Sequence, residues 1–224
     1  MAGMIQNIAM RIIGGRFRGR RINAPLGRET TRPMTDRVRQ SLFDRLVSMQ
    51  MLGGHVLDLF AGTGSLGLEA LSRGAEHCTF VERDAAARNI LEQNIESLGL
   101  APSTSVVAAD AWRAAWIDRL KTEPVRLVYC DPPYQATRDP HEAARVARLI
   151  EALAPVMEAD GHLVLRTEVK TAPPPATPPW QGPDTHPYGS TALHFYHLGI
   201  IGPPSRPDDA GLDQQTDSGC NRQV

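Results

Sequence analysis

From Gly53 onward, short apolar runs alternate with stretches whose apolar residues recur every three or four positions. His55–Phe60, Cys78–Val81, Thr104–Ala109, Val125–Cys130 and Gly161–Arg166 read as strands. Between them lie a helix over Ser65–Arg73 ending near Gly74 and a helix capped by Asp84. The second runs along Ile90, Leu91, Ile95 and Leu98 to Gly99. Further helices are predicted up to Leu120 and from about Pro140 to Leu153. Such alternation predicts an α/β fold with a mostly parallel sheet covered on both faces. Pro173 to Pro183 reads as an extended surface loop, and Thr191–Ile200 as a last strand, antiparallel to its neighbour.

Ahead of this region the grammar differs. Arg11 to Ala24 reads as a hairpin punctuated by Gly14, Gly15 and Gly19. Its apolar residues (Ile12, Ile13, Phe17, Ile22) are too few for a core of their own, so it must lean on the main domain or a partner. Pro25 to Met34 is a polar loop. A helix is predicted after the Thr35 cap, with Val38, Leu42, Leu46 and Met49 in a stripe at helical spacing. These segments divide the chain into a flexible 1–9, a basic hairpin and loop 10–34, a main domain 35–202 and a disordered tail 203–224.

Charge changes the picture for the amino-terminal part. The 224 residues carry a net charge of −1. Residues 1–50, however, hold ten arginines against Glu29, Asp36 and Asp44, a balance of +7 that leaves −8 for the rest. A basic end on a near-neutral chain points to a polyanion. Cys78, Cys130 and Cys220 show no paired or ligand spacing and read as reduced thiols of a cytoplasmic protein. No apolar run reaches the roughly 18 residues of a membrane span, and no metal-ligand pattern is present around His186, His194 or His197.

Two stretches carry chemistry. Val56 to Gly67 places Gly62, Gly64 and Gly67 after a strand and into a helix, and Glu82 follows Gly62 by twenty residues at the end of the next strand. That spacing suits a ribose-binding acid. Asp58 before the turn would repel a pyrophosphate and suit a cationic sulfonium, which favours S-adenosylmethionine over a nicotinamide cofactor. Asp110 can accept from an adenine amine or cap the following helix. The second stretch is Asp131-Pro132-Pro133-Tyr134 after an apolar strand. Paired prolines force the chain out of the sheet, leaving a carboxylate, a stiff turn and an aromatic ring at a strand's carboxyl end. A planar amine-bearing ring could stack on Tyr134 while its amine donates to Asp131 and the Pro132 carbonyl. Trp112 and Trp116, four apart, read as core contacts.

With Asp58, Phe60, Gly62, Gly64, Glu82, Asp110 and the Asp-Pro-Pro-Tyr turn in this order, the chain resembles the S-adenosylmethionine-dependent methyltransferases of exocyclic amines. More narrowly it is similar to the RsmD-like 16S rRNA guanine-N2 methyltransferase family. The narrower resemblance rests on Arg11-Ile12-Ile13-Gly14-Gly15, on Thr31 to Arg39, on Leu66 to Ala75 and on Tyr188-Gly189-x-Thr191-Ala192-Leu193. It departs at Ser190 and at Arg166-Thr167-Glu168, where an acid is expected sooner.

The resemblance implies a Rossmann-like seven-stranded methyltransferase sheet, mostly parallel with its last strand antiparallel, plus a small amino-terminal β-hairpin. It implies a monomer acting on ribosomal RNA within a small-subunit particle, with no metal and no membrane. Asp58, Phe60, Ala61, Gly62, Thr63, Gly64, Glu82, Arg83, Asp110, Ala111 and Arg37 would bind the cofactor. Asp131, Pro132, Pro133 and Tyr134 would be catalytic. Arg11, Arg16, Arg18, Arg20, Arg21, Arg32 and Arg39 would contact RNA. Competing readings are a methyltransferase of DNA adenine or another rRNA site, a nicotinamide-dependent oxidoreductase and a non-catalytic RNA-binding module.

Overall fold

The structure, a computed structural model, describes residues 10–24, 34–120, 124–138 and 140–199. The predicted flexible 1–9, the tail 203–224 and Arg32 lie outside the described residues.

The amino-terminal segment forms two short antiparallel strands, β1 (Met10–Arg11) and β2 (Arg21–Ile22), joined through a 3-10 turn at Gly15–Phe17. Ile12 and Ile22 are buried in the core of the main domain, which supplies the apolar support the hairpin lacks alone. Helix α1 (Asp36–Ser48) starts where the Thr35 hydroxyl accepts the Val38 N–H, and buries Leu42, Phe43 and Leu46.

The main domain alternates as its sequence predicts. Strand β3 (His55–Leu59) leads to α2 (Ser65–Ser72), β4 (His77–Val81), α3 (Ala85–Leu98), β5 (Thr104–Val107) and β6 (Val125–Cys130). Helices α4 (Tyr134–Arg138) and α5 (Pro140–Leu153) follow, then β7 (Met157–Glu168), β8 (Trp180–Tyr188) and β9 (Thr191–Leu198). The seven strands β3 to β9 pair in the order β5-β4-β3-β6-β7-β9-β8. The first five in that order are parallel, and β9 runs antiparallel to both β7 and β8.

Every residue of β3 is buried, as a central strand covered on both faces requires. Alternate side chains divide between two apolar layers. Val56 joins Leu42 and Phe43 of α1, Leu68 of α2 and Ile95 of α3. Leu57 and Leu59 join Trp116, Ile117 and Leu120 together with Val146, Leu149 and Ile150 of α5. Each fully buried aliphatic side chain contributes about 1.5–3 kcal/mol.

Several elements differ from expectation. The helix up to Leu120 is a 3-10 segment, Ala114–Leu120. The Asp-Pro-Pro-Tyr turn opens directly into α4, because prolines suit the first, unpaired positions of a helix. Strand β7 begins at Met157, four residues before Gly161. The proline-rich stretch is not wholly loop: from Trp180 it forms β8, the outermost strand. Pro183 and Pro187 fit there because an edge strand can spare donors, and the register shifts between Gln181 and Asp184. Cys78 and Cys130 are buried free thiols, and burial pushes both up from the usual thiol range.

Candidate active site

From β3 the chain proceeds to β4 and β5 on one side, then crosses back to β6 and β7 on the other. The carboxyl ends of β3 and β6 therefore form the topological switch point, where open α/β sheets bind ligands. Leu59 pairs with Cys130, so Phe60 and Asp131 leave the sheet side by side. The two stretches singled out by their chemistry meet at this rim.

On the β3 side the backbone turns through positive φ at Phe60 (60°), Gly62 (55°) and Gly64 (83°). For Phe60 this conformation costs about 1–2 kcal/mol. Its ring packs on Trp112, with centroids 4.7 Å apart. A Cβ at Gly62 would meet nothing within 4 Å, so the bend borders open space. A Cβ at Gly67 would instead collide with the Phe80 ring and the Cys78 sulfur, which allows α2 to press onto β4. Gly64 closes the turn on the Ala61 carbonyl at 2.8 Å, and Ala61 N–H donates to Val81 O at 3.2 Å. Thr63 offers its carbonyl to Asn94 Nδ2 at 3.1 Å.

The carboxylates here differ in burial and task. Asp58 is 2% exposed and accepts the Gly67 N–H at 2.9 Å. It fastens the start of α2 beneath the bend; the ligand-facing carboxylate suggested by its place before the turn is not what the structure shows. Burial pushes its carboxyl well above the usual range, against the Gly67 bond, and Asp131 and Glu82 push it further. Glu82, half-buried, accepts the Gly62 N–H at 2.8 Å on one oxygen and the Asp84 N–H at 2.8 Å on the other. Carboxylate oxygens offer about four lone-pair sites, so two accepted bonds leave capacity for ribose hydroxyls. Asp110 accepts the Trp112 N–H at 3.2 Å and lies 3.9 Å from the exposed Arg83 guanidinium, with Ala111 buried beside it. Arg37 is exposed on α1.

On the β6 side, Pro132 is buried, and Pro133 passes its carbonyl to the Ala136 N–H at 2.8 Å. Two partners from the antiparallel end of the sheet were not legible from the local motif. Arg166 Nε lies 2.6 Å from Asp131 Oδ1, and its guanidinium carbon sits 5.2 Å from the Tyr134 ring centroid. Thr191 Oγ1 lies 3.2 Å from the Tyr134 hydroxyl. Burial pushes the Asp131 carboxyl up while Arg166 pulls it down. The only sequence signals for these partners were Arg166 standing where an acid was expected and Thr191 in the late Tyr-Gly-x-Thr motif.

The basic hairpin is docked by buried polar groups. Glu69, fully buried, accepts the Ile13 and Gly14 N–H groups at 2.7 Å each and pairs with Arg73 at 2.7 Å. Ser72 Oγ donates to Gly14 O and accepts the Phe17 N–H. Asn94 accepts the Asn23 N–H at 2.7 Å. Arg11, Arg16, Arg18, Arg20 and Arg21 are exposed, with Arg11 beside Asp36 and Arg20 donating to Ser97 O. Arg39 corrects an expectation: it is fully buried, donating to Arg11 O at 2.7 Å and pairing with Asp36 at 2.9 Å. A side chain shielded in this way cannot reach RNA; it ties α1 to the hairpin. Among the described residues no cluster could hold a metal ion and no helix is long and apolar enough to cross a membrane.

Comparison with known proteins agrees with this architecture. A Bacillus subtilis protein named "Putative rRNA methyltransferase YlbH" is 39% identical over 155 residues, covering 69% of this chain and 80% of that protein. Ribosomal RNA small subunit methyltransferase D of Escherichia coli K12 is 40% identical over 126 residues, 56% of this chain and 61%, under two thirds, of its own length. Among solved structures, "Putative methyltransferase yhhF" from Escherichia coli superposes with a TM-score of 0.68 at 29% identity, covering 86% of this chain and 99% of that one. The signature of the family described as Conserved hypothetical protein 95 matches residues 10–197. With its seven-stranded sheet and docked hairpin, the chain belongs to this family of RsmD-like methyltransferases.

Proposed function

We propose that this protein methylates the exocyclic N2 amine of a guanine in small-subunit ribosomal RNA, using S-adenosylmethionine. The observation that carries the reading is the side-by-side exit of Phe60 and Asp131 from adjacent strands, which sets the glycine bend against the Asp-Pro-Pro-Tyr turn. The relatives named for rRNA methylation support the substrate class.

The residues on the β3 side fit the cofactor. Open space at Gly62 lets a ligand approach the backbone, Glu82 retains acceptor capacity for ribose hydroxyls, and the Phe60–Trp112 pair offers an apolar wall for a purine. Asp110 stands beside that wall to accept an amine proton. Ala61, Thr63, Arg83, Ala111 and Arg37 complete the proposed set. Acidic Glu82 and Asp131 at one rim suit a cationic centre and disfavour a pyrophosphate. When bound, S-adenosylmethionine supplies an electrophilic methyl group.

The protein's own residues prepare the acceptor. An exocyclic amine is a poor nucleophile because its lone pair is delocalised into the ring. Asp131 and the Pro132 carbonyl, both accepting from the amine, favour pyramidalisation and aim the lone pair toward the β3 side. Pro133 stiffens the turn and Tyr134 stacks on the base. Positioning and electrostatics supply most of the rate, effective molarities of about 10⁵ M or more marking their scale. The target base must be unpaired or flipped to enter. Exposed Arg11, Arg16, Arg18, Arg20 and Arg21, together with Arg32, contact phosphates. We place the enzyme in the cytoplasm as a monomer acting on a small-subunit particle.

Transfer of labelled methyl to ribosomal RNA, lost in Asp131→Ala, tests the reading. Calorimetric binding of NAD without binding of S-adenosylmethionine would overturn it. Mapping the methyl missing from a deletion strain identifies the nucleotide.

A further inference from the structure

We propose that Arg166 is the positioning residue of the proposed methyl-transfer site, fixing which carboxylate oxygen of Asp131 and which face of Tyr134 are offered to the base. The inference rests on the reading of the Asp-Pro-Pro-Tyr turn given above, and it adds a residue from a different part of the sheet.

The geometry is built from β7. Arg166 is 4% exposed, so its charge sits out of water and needs a partner. One such partner is Asp131, whose Oδ1 forms an ion pair with Nε at 2.6 Å. The ion pair holds Oδ1 at the guanidinium, and Oδ2 remains as the side-chain acceptor for an amine N–H. The amine's other proton then falls to the Pro132 carbonyl, so a two-proton amine is held in one orientation. The same guanidinium covers one face of the Tyr134 ring, its carbon 5.2 Å from the centroid. A base can stack only on the opposite face. Thr191, which pairs with Glu168 across β7 and β9, fixes the tyrosine hydroxyl and removes the remaining freedom of the ring.

A second effect follows from charge. As the carboxylate Asp131 accepts on both oxygens, whereas protonation turns one of them into a donor, and burial favours the protonated form. Arg166 from β7 favours the carboxylate against burial, while Asp58 on β3 and the adjoining Cys130 thiol on β6 are both themselves pushed up, with Asp131 among the causes. Arg166 also makes Asp131 a weaker base. The proton lost by the amine after methyl transfer therefore leaves to solvent, and Asp131 acts as an acceptor of hydrogen bonds.

Labelled methyl transfer to small-subunit particles lacking the modification, followed across pH, tests the assignment in the full chain. In Arg166→Gln the acid limb of the rate profile moves to higher pH while S-adenosylmethionine affinity is retained. Arg166→Lys keeps the charge, so the limb stays in place, but loss of the flat guanidinium raises KM for the particle several-fold. A uniform fall in rate at all pH values in Arg166→Gln overturns the proposal. If that variant does not fold, an unchanged particle KM in Arg166→Lys overturns it instead. Asp131→Asn is the separate control: a wild-type rate there sinks the underlying reading of the turn, whatever Arg166 does.

Discussion

Glu69 and Gly14 lie 55 positions apart and are joined by an N–H to carboxylate bond of 2.7 Å inside the protein. The second oxygen of Glu69 accepts the Ile13 N–H and its charge is met by Arg73. The hairpin is thus an integral part of the domain, attached through backbone groups that no surface substitution on the hairpin can remove.

Breaking that attachment is costly. Glu69→Ala leaves two N–H groups without their acceptor and the Arg73 guanidinium with only its longer contacts to Gln40 and Asp44, and loss of one partner of a buried pair costs about 3–5 kcal/mol. Urea unfolding should show this loss, and limited proteolysis should show cleavage in residues 10–24 before the main domain opens.

Two glycines of the fingerprint separate stability from binding. Gly67→Ala forces a methyl into Phe80 and Cys78 and should destabilise by about 1–3 kcal/mol in thermal unfolding. Gly62→Ala meets no neighbour but places a side chain in the left-handed region, at about 1–2 kcal/mol, and in the proposed cofactor space. Calorimetry with S-adenosylmethionine should show a larger loss of affinity for Gly62→Ala than for Gly67→Ala.

The arginines should divide sharply. Arg16→Gln, Arg18→Gln and Arg21→Gln, all at exposed positions, should leave unfolding unchanged and each lower the salt slope of RNA binding by roughly 0.7–0.9. Arg39→Gln should instead lower stability, because Asp36 and the Arg11 carbonyl lose their buried donor. Titration of binding against salt, alongside urea unfolding, distinguishes the two classes.

His194 gives the fold a pH dependence of its own. Burial pushes its imidazole down to about 4. Thr167 Oγ1 donates to Glu168 O, so it accepts from His194 Nε2–H at 2.8 Å, and Nδ1 accepts from Thr185 at 2.9 Å. Protonation would place a second N–H where a donor already points. Because the unfolded chain binds the proton more readily, stability falls as pH drops from about 6.5 to about 4 and levels off below. The contribution is of order 3 kcal/mol. His194→Gln should flatten this part of a urea-midpoint profile.

Much of the sheet was readable because its strands are buried on both faces and so appear as apolar runs, as in Val125–Cys130, where the expected and observed bounds coincide. Strand β8 was hidden by Pro183, Pro187 and exposed polar positions, which suit an outer strand and look like loop. The rim of the candidate site followed from two local motifs and the rule that ligands sit at carboxyl ends of strands. Arg166 was not legible as a partner of Asp131, because a contact across 35 positions leaves no local pattern. Arg39 is a related case: its charge suggests surface, while its partners, a backbone carbonyl and Asp36, allow burial.

The outermost strand also bears on behaviour at high concentration. Pro183 and Pro187 leave β8, the outermost strand among the described residues, with two positions that have no N–H to offer. A passing chain finds no continuous template there, so this flank resists the strand-by-strand accretion that exposed sheets invite.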